Sequence, residues 1–361
     1  ACLFEPGAGA CCEDAQDCND ANVCTQDACH PSLNVCENVA SAACDGCDSP
    51  LVALAEVGAM DSWPTGDGDT PNAEGMTITG DLIVVAAGTH GLLVGSLADA
   101  AAPQLLGQTT GAGLFEAAGA MNAADVAVVG QHAYVSGSAT GLWTIDISTP
   151  AMPTPVGYLP VDGESTQEIT RVNNRLWLGV AFDKFWVLDV TSPSAPVKTT
   201  EVSLSGNEAP YGVSADGDRL AAATGESFRL FDVSEPDSPS ALGSLTGQPW
   251  VDVVLTGDQA LATSWSGPIT LIDVSDPTTP VITGTIETSA GSLHRQGDWL
   301  FAARAGSGLA VIDLAADPPA VVQTLAIDGN VRQVRTHGTH AYITAGPAGV
   351  KSFALELSCD Q

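Results

Sequence analysis

The sequence predicts an all-β protein: a seven-bladed β-propeller that is closed by an N-terminal strand and preceded by a small disulfide-rich module. Three observations lead to this fold class. Apolar segments ending in an Asp- and Pro-containing turn recur about every 40 residues, each with a hairpin signal upstream, and nine of the ten cysteines fall within the first 47 residues. A repeat of this length is typical of a four-stranded propeller blade.

Seven copies of the repeated segment can be aligned. Five of them are clear copies, at residues 141–153, 184–196, 227–239, 268–280 and 308–320. Their shared aspartates are Asp146, Asp189, Asp232, Asp273 and Asp313. The first copy (91–103) has Ser96 at this position, and the last copy (349–357) has Ala354. An Asp before a Ser/Thr-Pro turn is expected to accept backbone N–H groups of the turn.

Each repeat is expected to supply four antiparallel strands. Two apolar strands flank a Gly-polar turn upstream of the repeated segment, as in residues 126–136, and a further strand follows its second Pro. The last repeat ends at Leu357 with three strands, whereas residues 51–57 stand alone before the first repeat. We therefore expect residues 51–57 to complete the last blade. The predicted domains are a cysteine-rich module at 1–48 and a propeller at 49–361.

The cysteine-rich segment is expected to depend on cross-links. Residues 1–48 contain no Lys or Arg and no apolar periodicity, so they cannot bury a core of their own. Disulfides persist in oxidising compartments, which predicts an extracellular or cell-surface protein. Acylation of Cys2, as in a lipoprotein, is the alternative, and the pairing within 1–48 stays open. No apolar run approaches the roughly 18 residues of a membrane span.

One disulfide follows from counting. Nine cysteines cannot all pair among themselves, and Cys359 is the only cysteine outside the N-terminal group. If residues 51–57 lie beside the strand that ends at Leu357, the two ends of the chain are neighbours. This arrangement predicts a closing bond between Cys47 and Cys359, with Cys44 as the alternative partner.

The charge balance limits the choice of partner. The chain has 43 acidic and 11 basic residues, a net charge of −32. Nucleic acids and anionic membrane surfaces are poor partners for such a chain, because they bind basic patches. Solubility is the first interpretation of this acidity, and capture of a cation is the second.

The repeats resemble a known family. The core of 268–280 (PITLIDVSDPTTP), with a Gly-polar hairpin upstream, resembles the LVIVD-repeat family of bacterial extracellular propellers over about residues 49–357. Residues 17–36 are similar to cysteine-rich segments of myxobacterial-type secreted proteins. The resemblance implies a secreted or cell-surface protein. It implies no particular reaction, since a fold does not determine a function.

Candidate site residues lie on the predicted innermost strands, which line the channel of a propeller. One position, five residues before the hairpin turn, is polar or small in every blade: Gly75, Asp125, Glu168, Gly212, Asp252, Ser292 and Gln333. Glu74 lies one residue earlier in its blade. The acidic members, Glu74, Asp125, Glu168 and Asp252, are the predicted metal residues, and oxygen ligands favour calcium. The alternative is a solvated channel mouth without a specific ligand.

The leading functional hypothesis is a secreted or cell-surface binding or scaffold protein, stabilised by calcium, that presents propeller loops to a protein or glycan partner. The alternative is a secreted metal-assisted hydrolase or lyase with its site at the channel mouth. The sequence shows neither zinc-type histidine spacing nor a nucleophile elbow, so no catalytic residue is assigned. The identity of the partner and the oligomeric state stay open.

Overall fold

The structure is a computed structural model. It describes residues 25–29, 36–40, 51–60, 72–110, 121–137, 141–161, 164–181, 183–204 and 208–358. These ranges contain 30 β-strands and no helix, and none of them offers a helix long and apolar enough to cross a membrane. Strands β1 (Thr25–Cys29) and β2 (Cys36–Ala40) form a two-stranded antiparallel sheet. The other 28 strands form seven antiparallel sheets of four strands each.

Each sheet is one blade. In six of the seven blades, the strand that comes first in the sequence is the innermost one. Blade 1 contains β4 (Met76–Thr79), β5 (Leu82–Ala86), β6 (Leu92–Ser96) and β7 (Gln104–Thr109). Blade 2 contains β8 (Ala123–Val129), β9 (His132–Gly137), β10 (Gly141–Asp146) and β11 (Thr154–Leu159). Blade 3 contains β12 (Thr166–Val172), β13 (Arg175–Val180), β14 (Lys184–Asp189) and β15 (Val197–Ser203).

The remaining four blades continue this order, and the last one takes its fourth strand from the start of the propeller. Blade 4 contains β16 (Gly212–Asp216), β17 (Arg219–Ala223), β18 (Ser227–Asp232) and β19 (Ser240–Thr246). Blade 5 contains β20 (Trp250–Thr256), β21 (Gln259–Ser264), β22 (Ile269–Asp273) and β23 (Val281–Ile286). Blade 6 contains β24 (Ser292–Gln296), β25 (Trp299–Ala303), β26 (Leu309–Asp313) and β27 (Ala320–Leu325). Blade 7 contains β28 (Gln333–His337), β29 (His340–Thr344), β30 (Val350–Ser358) and β3 (Leu51–Ala59).

The ring is closed by strand pairing between the two ends of the propeller. Strand β3 pairs antiparallel with β30, with Val52 opposite Leu357. A side chain of the neighbouring blade ties β3 further: Gln323 accepts a hydrogen bond from the Leu54 N–H (2.7 Å) and donates one to the Leu54 carbonyl (3.0 Å). The predicted fold, a seven-bladed propeller closed by an N-terminal strand, is confirmed.

The core lies between the blades rather than within one of them. Middle strands are buried on both faces, as the pattern of β5 and β9 shows. Side chains from neighbouring blades share one cluster, for example Val84 and Ala86 of blade 1 with Val126, Val135 and Trp143 of blade 2. A blade therefore buries its apolar faces only when both neighbours are in place, which makes the closed ring a condition of stability.

The shared aspartates have the turn role expected from the sequence. Oδ1 of each accepts a backbone N–H two residues on, at 2.8–2.9 Å, in the pairs Asp146–Ser148, Asp189–Thr191, Asp232–Ser234, Asp273–Ser275 and Asp313–Ala315. The hydrogen bonds from Ser148 lower the pKa of Asp146, because they favour the ionised form. The repeated signature thus stabilises a turn at the periphery of five of the seven blades.

Candidate functional site

The innermost strands surround a channel with a volume of about 1240 Å³. All seven of them contribute to its wall: β4, β8, β12, β16, β20, β24 and β28. The four carboxylates singled out from the sequence line this channel: Glu74, Asp125, Glu168 and Asp252.

The hairpin turns fix which residues face the channel. The turn after each innermost strand needs a residue with positive φ, which glycine adopts without strain. Six blades use a glycine with φ between 50° and 58°: Gly80, Gly130, Gly217, Gly257, Gly297 and Gly338. Blade 3 uses Asn173 (φ 54°), a residue type that tolerates this conformation. Glu168 therefore occupies the same position in its blade as Asp125 and Asp252 do in theirs.

Two of the acids hold neighbouring blades together. Oδ2 of Asp125 in blade 2 accepts the N–H of Ile169 in blade 3 (3.1 Å). Oδ2 of Asp252 in blade 5 accepts the N–H of Leu293 in blade 6 (2.7 Å), while its Oδ1 accepts the Val253 N–H (2.9 Å). The innermost strands of adjacent blades belong to separate sheets and do not pair through their backbones. These carboxylates supply hydrogen bonds between them instead.

An amide serves the same purpose where the ring closes. Oε1 of Gln333 in blade 7 accepts the N–H of Met76 in blade 1 at 2.9 Å. Met76, Ile169 and Leu293, the three donors, occupy the same position of the repeat, one residue after the small or polar channel residue of their own blade. A side chain at this one position of the repeat thus joins adjacent blades at three of the seven junctions.

Glycine at this position makes room for the acid in the following blade. A Cβ atom on Gly75 would lie 2.1 Å from Oδ1 of Asp125, and one on Gly212 would lie 2.5 Å from Oδ1 of Asp252. Both distances are far below van der Waals contact. At these two junctions, a glycine in one blade is therefore a packing requirement of the aspartate in the next blade.

Glu74 is paired separately from the other acids. Its Oε2 lies 3.4 Å from Nε of Arg332, with the side chains 27% and 45% exposed. The side-chain amide of Asn72 also donates a hydrogen bond to Glu74. An exposed ion pair of this kind contributes little to stability. Glu74 is thus neutralised by its own neighbours at the edge of the channel.

The three inner acids share one electrostatic environment. Burial raises the pKa of Asp125 to about 6, against the opposing effect of the N–H of Ile169 and the charge of Arg335. Burial, followed by the charges of Asp125 and Asp252, raises the pKa of Glu168 well above its usual value. Burial also raises the pKa of Asp252. The channel wall therefore disfavours the ionised form of all three groups.

Three of the four predicted site residues interact with one another, and the fourth is paired separately. Asp125, Glu168 and Asp252 influence one another's ionisation, whereas Glu74 is paired with Arg332. In the part of the chain that the structure describes, no group of three or more His, Cys, Asp or Glu side chains is arranged to hold a metal ion. Calcium binding stays a prediction.

The predicted closing disulfide falls outside the described residues, as do both of its cysteines, Cys47 and Cys359. The strand pairing ends next to them, with Leu51 opposite Ser358. The bond therefore also stays a prediction.

Comparison with protein families matches the LVIVD repeat at residues 120–159 and 251–288. The protein is a propeller with LVIVD repeats. Both matched segments are blades with Asp on the innermost strand, Asp125 and Asp252. This chain is similar to the crystal structure of the computationally designed Ika8 protein, with a TM-score of 0.55 and 10% sequence identity. The match covers 80% of this chain and 98% of the Ika8 chain. At that identity the likeness shows the fold alone. A comparison with curated proteins found no match.

Two basic side chains of the LVIVD-repeat propeller were missed by sequence reasoning. Arg335 lines the channel and its positive charge opposes the raised pKa values of the inner acids. Nε2 of His294 lies 2.8 Å from Oγ1 of Thr336 in the next blade. Burial, and then the charge of Arg335, lowers the pKa of His294 to about 3, so its imidazole is neutral. Both residues lie on innermost strands and point towards the channel, which is the signal that locates them.

Two aromatic residues at the channel mouth were also missed. Trp265 lies in the loop between β21 and β22 and is 65% exposed. Its ring packs edge-on against Tyr211, with 5.6 Å between ring centroids, and Tyr211 lines the channel. The signal in the sequence is a large aromatic residue between two serines, in a loop that otherwise needs only small residues.

Proposed function

We propose that this protein is a secreted or cell-surface binding protein, in which the propeller is a rigid scaffold that presents the channel mouth and its loops to a protein or glycan partner. The observation that carries this proposal is that two channel carboxylates bind the backbone of the neighbouring blade. Asp125 and Asp252 direct their oxygens at backbone N–H groups of the next blade. Their first role is thus to hold the mouth in one shape.

A rigid mouth favours binding because little conformational entropy is lost when a partner docks. The mouth also carries an exposed aromatic side chain, Trp265, beside a polar, carboxylate-lined channel. This combination of a preorganised apolar anchor and surrounding polar groups is typical of binding sites.

Secretion is supported by the cysteines and by the repeats. Nine cysteines within 47 residues suit an oxidising compartment, where the N-terminal segment would act as a disulfide-stapled spacer or docking unit. LVIVD repeats are typical of extracellular proteins. The experiment is fractionation of the organism that makes the chain, with protease added to intact cells. Protection of the chain inside the cell would contradict this part of the proposal.

Binding is tested with the full chain on arrays of immobilised glycans and basic and acidic peptides. The Glu168→Gln variant is the matched control, since it removes one titratable group of the channel and leaves the blade links of Asp125, Asp252 and Gln333 in place. We expect saturable binding by both proteins and no turnover by either. Turnover by the wild type that Glu168→Gln loses would contradict the binding role and establish the alternative.

That alternative is a secreted metal-assisted hydrolase or lyase. One observation favours it: Glu168 has a raised pKa beside Asp125 and Asp252, and pairs of carboxylates with separated pKa values serve as acid and base in many enzymes. In that role Glu168 would supply the proton. A panel of ester, glycoside and phosphoester substrates, assayed with calcium and with chelator, distinguishes the two functions.

Calcium stabilisation is proposed as part of the same function. Burial, and then the charges of Asp125 and Asp252, raises the pKa of Glu168, and a divalent cation in the channel would offset this repulsion among the three acids. A ligand that binds only the folded state raises the melting temperature with its concentration. We expect millimolar calcium to raise the melting temperature of the wild type more than that of Glu168→Gln. Identical curves in calcium and in chelator would contradict it.

A further inference from the structure

Trp265 and Tyr211 form an exposed aromatic pair. Among the described residues, Trp265 is the only aromatic side chain in the set of exposed large hydrophobic residues; the others are aliphatic. A tryptophan carries a large apolar surface together with an electron-rich ring face. Leaving 65% of such a side chain in water indicates a surface that a ligand covers.

The pair is held in place by its surroundings. The Gly267 N–H donates to Oγ of Ser264 at 3.0 Å, which closes the loop that carries Trp265. A Cβ on Gly225 would lie 2.8 Å from Cε2 of Tyr211, so the ring of Tyr211 rests directly on that glycine. A ligand would therefore meet a preorganised aromatic surface.

The pair lies between two cavities. Tyr211 and Asp252 both line the channel. Gly225, which supports the Tyr211 ring, lines a second cavity of about 570 Å³. Tyr211 thus lies between the channel and the second cavity, and Trp265 packs on its edge, so that the pair forms a ridge beside the channel mouth.

On the side of the second cavity the charge beside the ridge is negative, because the lining holds two glutamates and one arginine. Glu226 is exposed and lines the second cavity. Glu208, which lines the same cavity, is buried and pairs with Arg229, with 2.7 Å between Oε2 of Glu208 and Nη2 of Arg229. Glu208 thus neutralises the guanidinium of Arg229, and the exposed Glu226 adds to the negative potential of a chain with a net charge of −32. Such a field attracts cationic ligands.

We propose that Trp265 and Tyr211 bind an arginine or lysine side chain of a basic partner protein. The inference rests on the proposed binding function and names the partner's chemistry. A cation over an indole face is attracted by the electron-rich ring, and the exposed Glu226 and the negative net charge of the chain complement its charge. The chain already contains this contact elsewhere: Nζ of Lys198 lies 4.4 Å from the ring centroid of Trp186.

The test uses the full chain and a tetra-arginine peptide as the probe, followed by calorimetry and tryptophan fluorescence at low salt. Trp265→Leu keeps an apolar side chain but removes the ring face, and Trp265→Phe restores a ring. We expect Trp265→Leu to weaken binding about two- to fivefold, the range of an exposed cation–π contact, and Trp265→Phe to lose less. Met152→Leu, at another exposed apolar side chain (71% exposed), is the control and should bind as the wild type does.

Two further measurements complete the test. Binding should weaken as salt is added, because the charges around the ridge are exposed. A neutral tetrasaccharide is the second probe, since a sugar ring also stacks on tryptophan. If the tetrasaccharide binds at Trp265 and the peptide does not, the basic partner is excluded while the binding function stands.

Other results overturn the inference directly. Equal affinity of the peptide for the wild type and for Trp265→Leu would place the contact elsewhere on the acidic surface. Absence of binding by the peptide excludes a basic partner. If the glycan and peptide arrays are also negative, the proposed binding function fails with it.

Discussion

The channel mouth and the outer rim of this propeller both join adjacent blades, but they do so by different chemistry. At the mouth, a buried carboxylate reaches across to a backbone N–H, as Asp125 does to Ile169. At the rim, the backbone of one blade's turn packs against a glycine of the preceding blade. A Cβ on Gly157 of β11 would lie 2.2 Å from the carbonyl oxygen of Ser194 in blade 3.

The difference explains where the repeat is constant and where it varies. The turn at the rim is stabilised within its own blade, by contacts such as Asp146 to Ser148, so one signature serves many blades. At the mouth, each side chain must suit its neighbour: Gly75 precedes Asp125 around the ring. Variation is therefore concentrated at the mouth, where a partner would also be recognised.

The largest expected effect concerns the rim of blade 7, where the ring is closed by hydrogen bonds between β3 and β30. A Cys47–Cys359 bond would make this closure covalent around a loop of some three hundred residues, worth about 5 kcal/mol less any strain. We expect Cys359→Ser to lower the free energy of unfolding by a large part of that amount. Peptide mapping without reductant checks the bond. A free thiol at Cys359, or a bond to a cysteine before Cys44, would contradict it.

The rim contact itself is tested at equivalent glycines of two blades. Gly157→Ala places a methyl group against a backbone carbonyl that no rotamer change can remove, so we expect a loss of about 3 kcal/mol. Gly284 lies at the same place in blade 5, yet a Cβ there would meet nothing within 4 Å. Gly284→Ala should therefore be neutral or slightly stabilising. Urea denaturation measures both variants, and equal losses would show that the close approach at Gly157 is unimportant.

The mouth and the rim also differ in how they respond to pH. Burial raises the folded-state pKa of Asp125 to about 6, so its contribution to stability is present below about pH 4 and is lost as pH rises through 6. At the rim, hydrogen bonds from Arg175 lower the pKa of Asp237 to about 2, so its contribution is present above pH 4 and is lost as pH falls through 2. His294, also at the mouth, has its folded-state pKa lowered by burial to about 3. Stability is therefore lost as pH falls below about 6.5, the ordinary pKa of histidine.

Because these contributions overlap, the prediction concerns the difference between a variant and the wild type. Asp125→Asn keeps an oxygen for the Ile169 N–H and removes the titration. We expect its stability relative to the wild type to improve by about 2 kcal/mol between pH 4 and pH 7. Urea denaturation at several pH values measures this change. A constant difference across this range would show that Asp125 ionises as it does in water.

The fold was predictable because its determinants are local and repeated. The Asp146-type turn and the hairpin glycine recur with the blade period, and the unpaired strand at 51–57 has only one place to go. Even the exception fits, since Asn173 takes the conformation of the glycine that it replaces.

The contacts of the candidate site were less predictable. Periodicity places Asp125 and Asp252 on the channel wall, but the direction of each carboxylate depends on a different blade. The relevant clue is the glycine at the same position of the preceding blade, Gly75 or Gly212, which is informative only once neighbouring blades are compared. Trp265 lies in a loop outside the repeat, where periodicity says nothing.

The smallest expected effect compares one link at the mouth with one turn at the rim. Asp252→Ala leaves the N–H groups of Leu293 and Val253 without acceptors, and unsatisfied buried donors cost roughly 1–3 kcal/mol. Burial, however, disfavours the ionised form of Asp252, so the wild type already loses some stability by burying this carboxylate. Removing the carboxylate offsets part of the loss from the unsatisfied donors. We therefore expect a net loss of about 1 kcal/mol at pH 7. Asp273→Ala, at an exposed turn where water can replace the carboxylate, should lose less.

A local measurement separates the two terms for Asp252. If its carboxylate links blades 5 and 6, amide hydrogen exchange at Leu293 should accelerate in Asp252→Ala. Asp252→Asn, which keeps one oxygen for that N–H, should retain most of the protection. The amide of Ser275 should respond only to Asp273→Ala, since its acceptor lies within its own blade. Unchanged exchange at Leu293 in Asp252→Ala would mean that the blades are held at the mouth by apolar packing alone, and that the acids are free to serve a ligand.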